Sequence, residues 1–448
     1  SSPARWLMES IRALAAEDPP DGLEDPSMLL ARDLDKLKAK PWFHVLPTPV
    51  NAAADTDPAD GHEYNVRSVA RHIHNGCRLS VHWLAADPGS SFGRSLRLEG
   101  ARRSREWTEF DGNLAGVWPS NAGLTDEVAS ATRYEAWATC PFQYFLSHVL
   151  NLTPVEAPEE QFTVSSADRG TLVHRILQRF VSERGFGKEA RRMNPDEQAR
   201  LLERVVDQEC ADFASRAVSG KPAMWRMETR RLKRDLERFI KNDELPYLEK
   251  TGAEPAWTEL AFGRGEDGLP AAEVELDDGS TVRFRGVIDR VDVSADGRTA
   301  YVLDYKSSRS GQYSDPGLVR ESRAGRLLQL PVYARAIAAG RPAVEEIKSH
   351  YWFVFSERAN KLSGGAASEF DEPMAHALGV IASGISSGVF PARPGGPAGG
   401  SQARSEWQNC GRCDFDRVCP ARRDRQWERK KGDEGLRAYR ELAEDGGA

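Results

Sequence analysis

Four cysteines and a short series of carboxylates carry the chemistry this chain could perform. Cys140 stands alone in the run Thr139-Cys140-Pro141-Phe142. Cys410, Cys413 and Cys419 fall at C-x2-C-x5-C spacing near the C-terminus. Three thiolates so close can ligate one metal centre from a single loop, and they leave a fourth position open. Cys140, about 270 residues upstream of Cys410, is the candidate to fill it. Such a centre would staple the two ends of a domain, and on the cross-link view it would contribute on the order of 5 kcal/mol. Four thiolates suit zinc or an iron–sulfur cluster, and spacing does not choose between them. Cys77 and Cys210 fall outside the pattern and read as ordinary thiols.

The carboxylates lie between those cysteines. Gly286-Val-Ile-Asp289 is an apolar strand that ends in an aspartate, and Tyr301-Val-Leu-Asp304-Tyr305-Lys306 is a second that ends in Asp-x-Lys. Side chains alternate along a strand, so Asp304 and Lys306 share a face and Tyr305 points away. Asp296-Gly297 marks a hairpin turn between the two strands, and their pairing would bring Asp289 and Asp304 together. Two carboxylates that close repel unless a cation lies between them. A few carboxylate oxygens with retained waters suit Mg²⁺ or Mn²⁺, which would polarise a phosphate and activate a water. The Lys306 ammonium would stand near that water or near the developing charge. A lone Asp-x-Lys is commonplace and usually solvated; a strand-end Asp, a hairpin and then Asp-x-Lys is far less common. Asp292 reads as a solvent-side residue or a backbone anchor. A lone helix histidine such as His174 is most often packed into a core, yet neutral imidazole is also a competent metal ligand. Glu259 either supports the metal or sits on a solvated sheet edge. Gln329 and Tyr333 lie one helical turn apart and face the same way, a polar pair that helix packing leaves unexplained and that could hold phosphate or orient the lysine.

Taken in order, Gly170-x3-His174, Gly-Val-Ile-Asp289, Asp304-Tyr-Lys306 and Gln329-x3-Tyr333 resemble the PD-(D/E)xK nuclease module of the RecB/AddB type. The four framing cysteines are similar to those of the AddB-like subset, in which a 4Fe–4S cluster encloses the nuclease. The resemblance covers roughly residues 125 to 431. It implies an α/β fold with a mixed central sheet flanked by helices, an iron–sulfur staple and a mainly helical N-terminal region. It implies an active centre of His174, Asp289, Asp304 and Lys306, with Gln329 and Tyr333 as accessory residues and His174, Asp289 and Asp304 as ligands of Mg²⁺ or Mn²⁺. It implies a cluster held by Cys140, Cys410, Cys413 and Cys419. The segment Arg105–Asn113 also resembles the stretch that precedes such nucleases in large bacterial helicase–nuclease chains. The expected activity is phosphodiester hydrolysis at single-stranded or duplex DNA ends, in double-strand-break repair or recombination, with a helicase motor in the same parent chain or a partner subunit. The rival readings are a nuclease fold that has lost catalysis and serves as a DNA-binding or scaffolding module, and a zinc-stapled structural domain.

The elements that must position these residues follow from hydrophobic period. A helix over Ala129–Val149 carries Cys140. A second, over Ala167–Arg184, buries Leu172, Val173, Ile176, Leu177 and Phe180 at helical spacing, and a long charged helical region covers Met193–Asn242. Strands are expected at Thr258–Phe262, Ala272–Leu276, Thr281–Ile288, Ala300–Tyr305 and Ser349–Phe355, with a helix at Leu327–Ala339. Upstream, an amphipathic helix covers Ser68–Ala85 between the Pro-rich stretches Asp18–Pro26 and Pro47–Asp60 and a hinge at Pro119–Thr125. A Gly/Pro/Ala-rich linker, Gly388–Gln402, delivers the cysteine triplet. The expected division is an N-terminal region over 1–124, a nuclease domain over 125–431 and a tail over 432–448.

The 448 residues suffice for two or three cores. No apolar run would span a bilayer, and no Walker phosphate loop occurs, so the chain has no ATP motor of that kind. The cysteine usage fits metal binding in a reducing cytoplasm rather than a secreted disulfide framework. The chain begins with Ser1, which suggests a piece of something larger. A net charge of −7 speaks against a nonspecific nucleic-acid coat. Locally, Arg191, Arg192, Arg200 and Arg204, then Arg230, Arg231, Lys233, Arg234, Arg238 and Lys241, then Arg417, Arg422, Arg423, Arg425, Arg429, Lys430 and Lys431 form basic stretches. Each alone reads as a solvated helix face; together they favour a phosphate-binding surface.

Overall fold

The computed structural model describes residues 5–18, 25, 34, 36, 37, 40–43, 50, 53, 54, 57–87, 89–119, 128–154, 164–187, 193–216, 221–265, 268–307, 315–355, 362–398, 407–411, 413–415, 418–420 and 422–445. Residues 120–125 of the expected hinge, most of the two Pro-rich stretches, residues 399–402 of the linker, and Arg191, Arg192 and Arg417 lie outside them. The chain divides into two compact units, Ser1–Gly100 and Ala101–Ala448.

The first unit is helical. Its elements include α1 (Arg5–Glu17) and α2 (Gly61–His74). The helix expected over Ser68–Ala85 starts earlier, because Asp60 caps α2 by accepting from the Glu63 amide at 2.8 Å. It stops at Asn75-Gly76, where Gly76 takes φ +71°, a conformation that ends helices. Helix α3 (Ser91–Arg103) follows.

The second unit holds the expected chemistry. It opens with β1 (Val128–Ala129), α4 (Ala131–Thr139) and α5 (Pro141–Tyr144). The single helix expected over Ala129–Val149 is thus broken at Cys140, whose φ −155° and ψ 99° are extended. Pro141 explains the break, since its ring crowds the residue before it out of the helical region. Four helices follow: α6 (Ser166–Arg184), α7 (Pro195–Arg216), α8 (Pro222–Phe239) and α9 (Leu245–Thr251).

The strands are β2 (Glu254–Phe262), β3 (Ala272–Glu275), β4 (Thr281–Phe284), β5 (Gly286–Val293), β6 (Thr299–Lys306), β7 (Glu346–Phe353) and β8 (Leu362–Ala366). The strand expected over Thr281–Ile288 is two strands in two sheets. β4 belongs to a three-stranded sheet of order β1-β4-β3, and β5 to a five-stranded sheet of order β2-β5-β6-β7-β8. The chain changes sheet at Arg285-Gly286, where a Cβ on Gly286 would lie 2.8 Å from the Phe262 ring. In the large sheet β6 and β7 are parallel and the other pairs antiparallel. The parallel pair is joined through α10 (Asp315–Arg323) and α11 (Gln329–Gly340). Helices α12 (Asp371–Ser386), α13 (Arg423–Lys430) and α14 (Arg437–Asp445) complete the unit.

The large sheet separates two cores. Leu303, Tyr305 and Trp352 pack with the apolar faces of α6 to α9. Val291, Ala300 and Val302 pack with α11, α12 and the small sheet. The segregation follows from alternation along β6: odd residues face α6–α9 and even ones face α11, which puts Asp304 and Lys306 on the α11 side.

Candidate active site

β5 and β6 pair from Val293↔Ala300 to Arg290↔Leu303 through the Asp296-Gly297 turn. Continued by one step, that register would set Asp289 opposite Asp304, but here the ladder opens. The Tyr305 amide instead donates to Asp289 Oδ2 at 2.7 Å. Asp289 Oδ1 lies 3.2 Å from His174 Nδ1. His174 is brought in by α6, which packs against β2 and β5. One turn earlier on α6 a Cβ on Gly170 would lie 3.2 Å from Ser307 Oγ, so the glycine lets the helix approach the end of β6.

The other half of the site is built on Lys306. Its ammonium donates to Gln329 Oε1 at 2.9 Å and lies 4.7 Å from the centre of the Tyr351 ring. It also stands 2.6 Å from Asp304 Oδ2. That short ion pair joins the ammonium to a carboxylate that is itself buried. Tyr333, one turn beyond Gln329 on α11, is buried with its ring edge-on to Phe262 at 5.8 Å.

The charges of the site act on one another. Burial raises the Asp304 carboxyl above its ordinary range, Lys306 opposes the shift and Asp289 adds to it. Burial works against the charged form of His174, but the hydrogen bond and charge of Asp289 outweigh it and raise the imidazole. Burial, then the carboxylates of Asp304, Asp289, Glu135 and Glu259, push the Tyr333 phenol well up, so it stays protonated.

Two further carboxylates belong here. Glu259 on β2 is raised by burial and then by Asp289. Its φ of +50° is unusual for a non-glycine residue and falls where the ladder skips from Thr258↔Arg290 to Leu260↔Ile288. The register runs on unchanged across that gap, so Glu259 lies opposite Asp289, and its half-buried carboxyl sits in the field of Asp289 and His174, which favours the support role over the solvated edge. Glu135 on α4 escaped the sequence reading. Its Oε1 accepts from the amides of Leu328 and Gln329 at 2.6 and 3.2 Å. As a residue it is half-buried, yet its carboxyl end is enclosed, and burial pushes it up to about 7 against those two amides and Lys306.

Asp292 is a correction. It is buried outright, not on the solvent side. Arg290 reaches it with Nε at 2.6 Å and Nη2 at 2.9 Å, and Arg290 with Arg184 also holds the buried Glu244 at 2.5 and 2.6 Å. This balanced quartet lies beneath the sheet on the α6–α9 side, away from Asp304.

The donors His174, Asp289 and Asp304 fit a hard divalent cation by type, and the buried Asp304 carboxylate, paired with the Lys306 ammonium, is an oxygen donor that such an ion would take. In the arrangement described they are held in pairs, and among the described residues no three His, Cys, Asp or Glu side chains already stand as a single-ion site. Cys140, Cys410, Cys413 and Cys419 line one pocket with Arg393, Asn409 and Arg423. The Arg393 amide donates to Cys140 Sγ at 3.5 Å, and Arg423 Nη1 lies 3.8 Å from Cys410 Sγ. Burial raises Cys140, and burial with the neighbouring sulfurs pushes Cys419 up to about 12 against Arg423. Four half-buried cysteines in one pocket, two of them raised by burial and by the neighbouring sulfurs, suit a bound metal centre, which would relieve that repulsion. Cys77 is exposed and Cys210 buried. Part of the basic stretches is ion-paired: Arg204 with Glu183, Lys233 with Glu203 and Asp207, Arg231 and Arg234 with Asp235.

A family profile described as the PD-(D/E)XK nuclease superfamily matches residues 128–420. A protein named as a subunit of an ATP-dependent helicase/deoxyribonuclease, from Symbiobacterium thermophilum, is 29% identical over 330 residues, covering 69% of this chain and 27% of that protein. The protein of the same name from Alkaliphilus metalliredigens is 26% identical over 325 residues, covering 70% and 26%. The chain thus spans about a quarter of the length of these relatives. A solved structure titled "Crystal structure of SSO0001" aligns at 13% identity and a TM-score of 0.19, covering 63% of this chain and 95% of that one; a score so low bears on nothing here. No helix among the described residues is long and apolar enough to cross a membrane.

Proposed function

The chain belongs to the PD-(D/E)XK nuclease superfamily, and from that premise we propose that its second unit hydrolyses DNA phosphodiester bonds with a divalent cation held by His174, Asp289 and Asp304. One observation carries this reading: Asp289, Asp304 and Lys306 meet where the β5–β6 ladder opens, on a support that fixes each of them. When bound, Mg²⁺ or Mn²⁺ would polarise the scissile phosphate and lower the pKa of a water.

The residues of the chain do the rest. Asp289 is held at both oxygens, by the Tyr305 amide and by His174, so its orientation is set before substrate arrives. Gln329 and the Tyr351 face hold the Lys306 ammonium, where it would meet the negative charge that grows on the phosphate. Tyr333 stays neutral and closes the inner wall of the site. The relatives' name, a subunit of an ATP-dependent helicase/deoxyribonuclease, supports DNA as the substrate and a helicase motor elsewhere in the parent assembly; we place the activity at DNA ends in break repair, in the cytoplasm. We take the four-cysteine pocket to hold a 4Fe–4S cluster with a structural role.

The test is Asp304→Ala, assayed for cleavage of single-stranded and duplex DNA with Mg²⁺ or Mn²⁺. Loss of a metal-ligating carboxylate removes several kcal/mol of transition-state stabilisation, so the rate should fall on the order of 10³-fold, with the circular dichroism spectrum unchanged. Cleavage at the wild-type rate would overturn the assignment.

A further inference from the structure

We propose that Glu135 is a positioning residue for the hydrolysis step, one that fixes the first turn of α11 so that Gln329 meets the Lys306 ammonium. The proposal rests on the nuclease reading above.

The need for Glu135 is local. The first amides of a helix have no partner within it, and a Ser, Thr, Asp or Asn at the cap usually supplies one. At the cap of α11 stands Leu328, whose side chain accepts nothing. Glu135 supplies the acceptor from α4, 193 residues away in the chain, with Oε1 at 2.6 Å from the Leu328 amide. It also takes the Gln329 amide at 3.2 Å. The residue whose backbone is held in this way is the one whose side chain holds the lysine, through Gln329 Oε1 at 2.9 Å from Lys306 Nζ. Lys306 in turn stands against Asp304. A continuous relay therefore runs from the Glu135 carboxyl through the α11 backbone to the Gln329 amide and the ammonium. Glu135 touches none of the reacting atoms, so its hydrogen-bonded path to the site runs through the α11 backbone and Gln329.

An ordinary helix cap and a positioning residue differ in what they cost when removed. Loss of a cap lowers stability and leaves turnover alone. Loss of a positioning residue lowers kcat, because a displacement of about 1 Å at a catalytic group can cost on the order of 100-fold. The experiment is a double-mutant cycle on the full chain, Glu135→Ala against Gln329→Ala, with cleavage of a defined oligonucleotide read as kcat and KM separately. We expect Glu135→Ala to lose on the order of 10- to 100-fold in kcat, with KM unchanged within about twofold. In the Gln329→Ala background it should lose nothing further, since groups that act as a unit are not additive. Glu135→Gln keeps an oxygen on the same stem and should restore kcat. If Glu135→Ala does not fold, Glu135→Leu, of similar volume and without the acceptor, replaces it in the cycle. Wild-type kcat in Glu135→Ala, losses that multiply in the double variant, or a Glu135→Gln no better than Glu135→Ala would each overturn the proposal. Asp304→Ala run beside them separates the two readings: cleavage unchanged there sinks the nuclease assignment itself, whereas an inactive Asp304→Ala beside a wild-type Glu135→Ala sinks only the role of Glu135.

Discussion

Glu244 shows how far a single buried carboxylate can be held from its ordinary behaviour. It is fully buried, which by itself favours the neutral acid, yet the charges and hydrogen bonds of Arg184 and Arg290 bring it down to about 2. Its folded pKa lies below the unfolded value, so its contribution to stability is complete above about 4.5 and is lost as pH falls from there toward 2. A shift of that size corresponds to about 3 kcal/mol. Glu244→Gln leaves two guanidiniums facing one carboxylate, Asp292, and should cost about 3–5 kcal/mol at pH 7. The difference between wild type and variant should shrink between pH 4.5 and 2, as urea midpoints measured across that range would show; a constant gap would refute the argument. The quartet also marks the limit of residue-level reading. Alternation correctly assigned Asp304 and Lys306 to one face, because both belong to one strand. It could not reveal that Asp292 would be buried, because the cations that make burial tolerable arrive from α6 and from its own neighbour Arg290. Glu135 was illegible for the same reason, since its two amide donors lie 193 and 194 residues away.

Elements place these residues, and their boundaries decide more than their types. The stripe on α6 and the β5–β6 hairpin were both readable from the sequence, and with them the approach of Asp289 to Asp304, whereas the place of His174 beside Asp289 was implied only by the family resemblance. What period could not show was the change of sheet at Arg285, which depends on a ring from β2 crossing Gly286. It also extends through Cys140, where Pro141 breaks the helix and leaves the thiol in extended backbone rather than mid-helix. Helix α12 carried a fair signal of its own, with Met374, Ala377, Leu378, Ile381 and Ile385 on one face, whereas Leu-Ser-Gly-Gly-Ala in β8 gave no alternation to find. Gly170 sets the approach of α6 to β6, and a substitution there tests the element rather than the residue. A valine at this position would press on Ser307 from 3.2 Å and push the helix outward, drawing His174 from Asp289. Gly170→Val should therefore lower kcat on the order of 10- to 100-fold. Thermal stability should change little, because valine is the better helix former by a few tenths of a kcal/mol and the strain sits at the helix margin. Unchanged turnover would mean that the glycine has no part in the approach.

At the scale of the second unit, elements far apart in the chain meet beside the cysteines. α14 returns to α4, with the Tyr439 ring edge-on to Trp137 at 5.2 Å and its hydroxyl donating to the Ala138 and Thr139 carbonyls at 3.4 Å. Asn409 ties the Thr139 and Arg393 carbonyls together beside Cys410. Lys430 meets Asp111 at 2.8 Å, with both side chains almost wholly buried, and donates to the Ala101 carbonyl. The Asn409 bonds brace the cysteine pocket from the protein side, and a metal centre would brace it from within. The two contributions are separable. Purified without oxygen, the protein should carry about four irons per chain, as one cubane on four thiolates requires. Cys419→Ser should lose that iron together with stability on the order of 5 kcal/mol, the value of closing so long a loop. Asp304→Ala, which removes no residue of the cysteine pocket, should keep the full iron content while losing cleavage. One zinc in place of four irons would preserve the staple and overturn the cluster. Iron content and stability unchanged in Cys419→Ser would show that the four cysteines share a pocket without sharing a ligand.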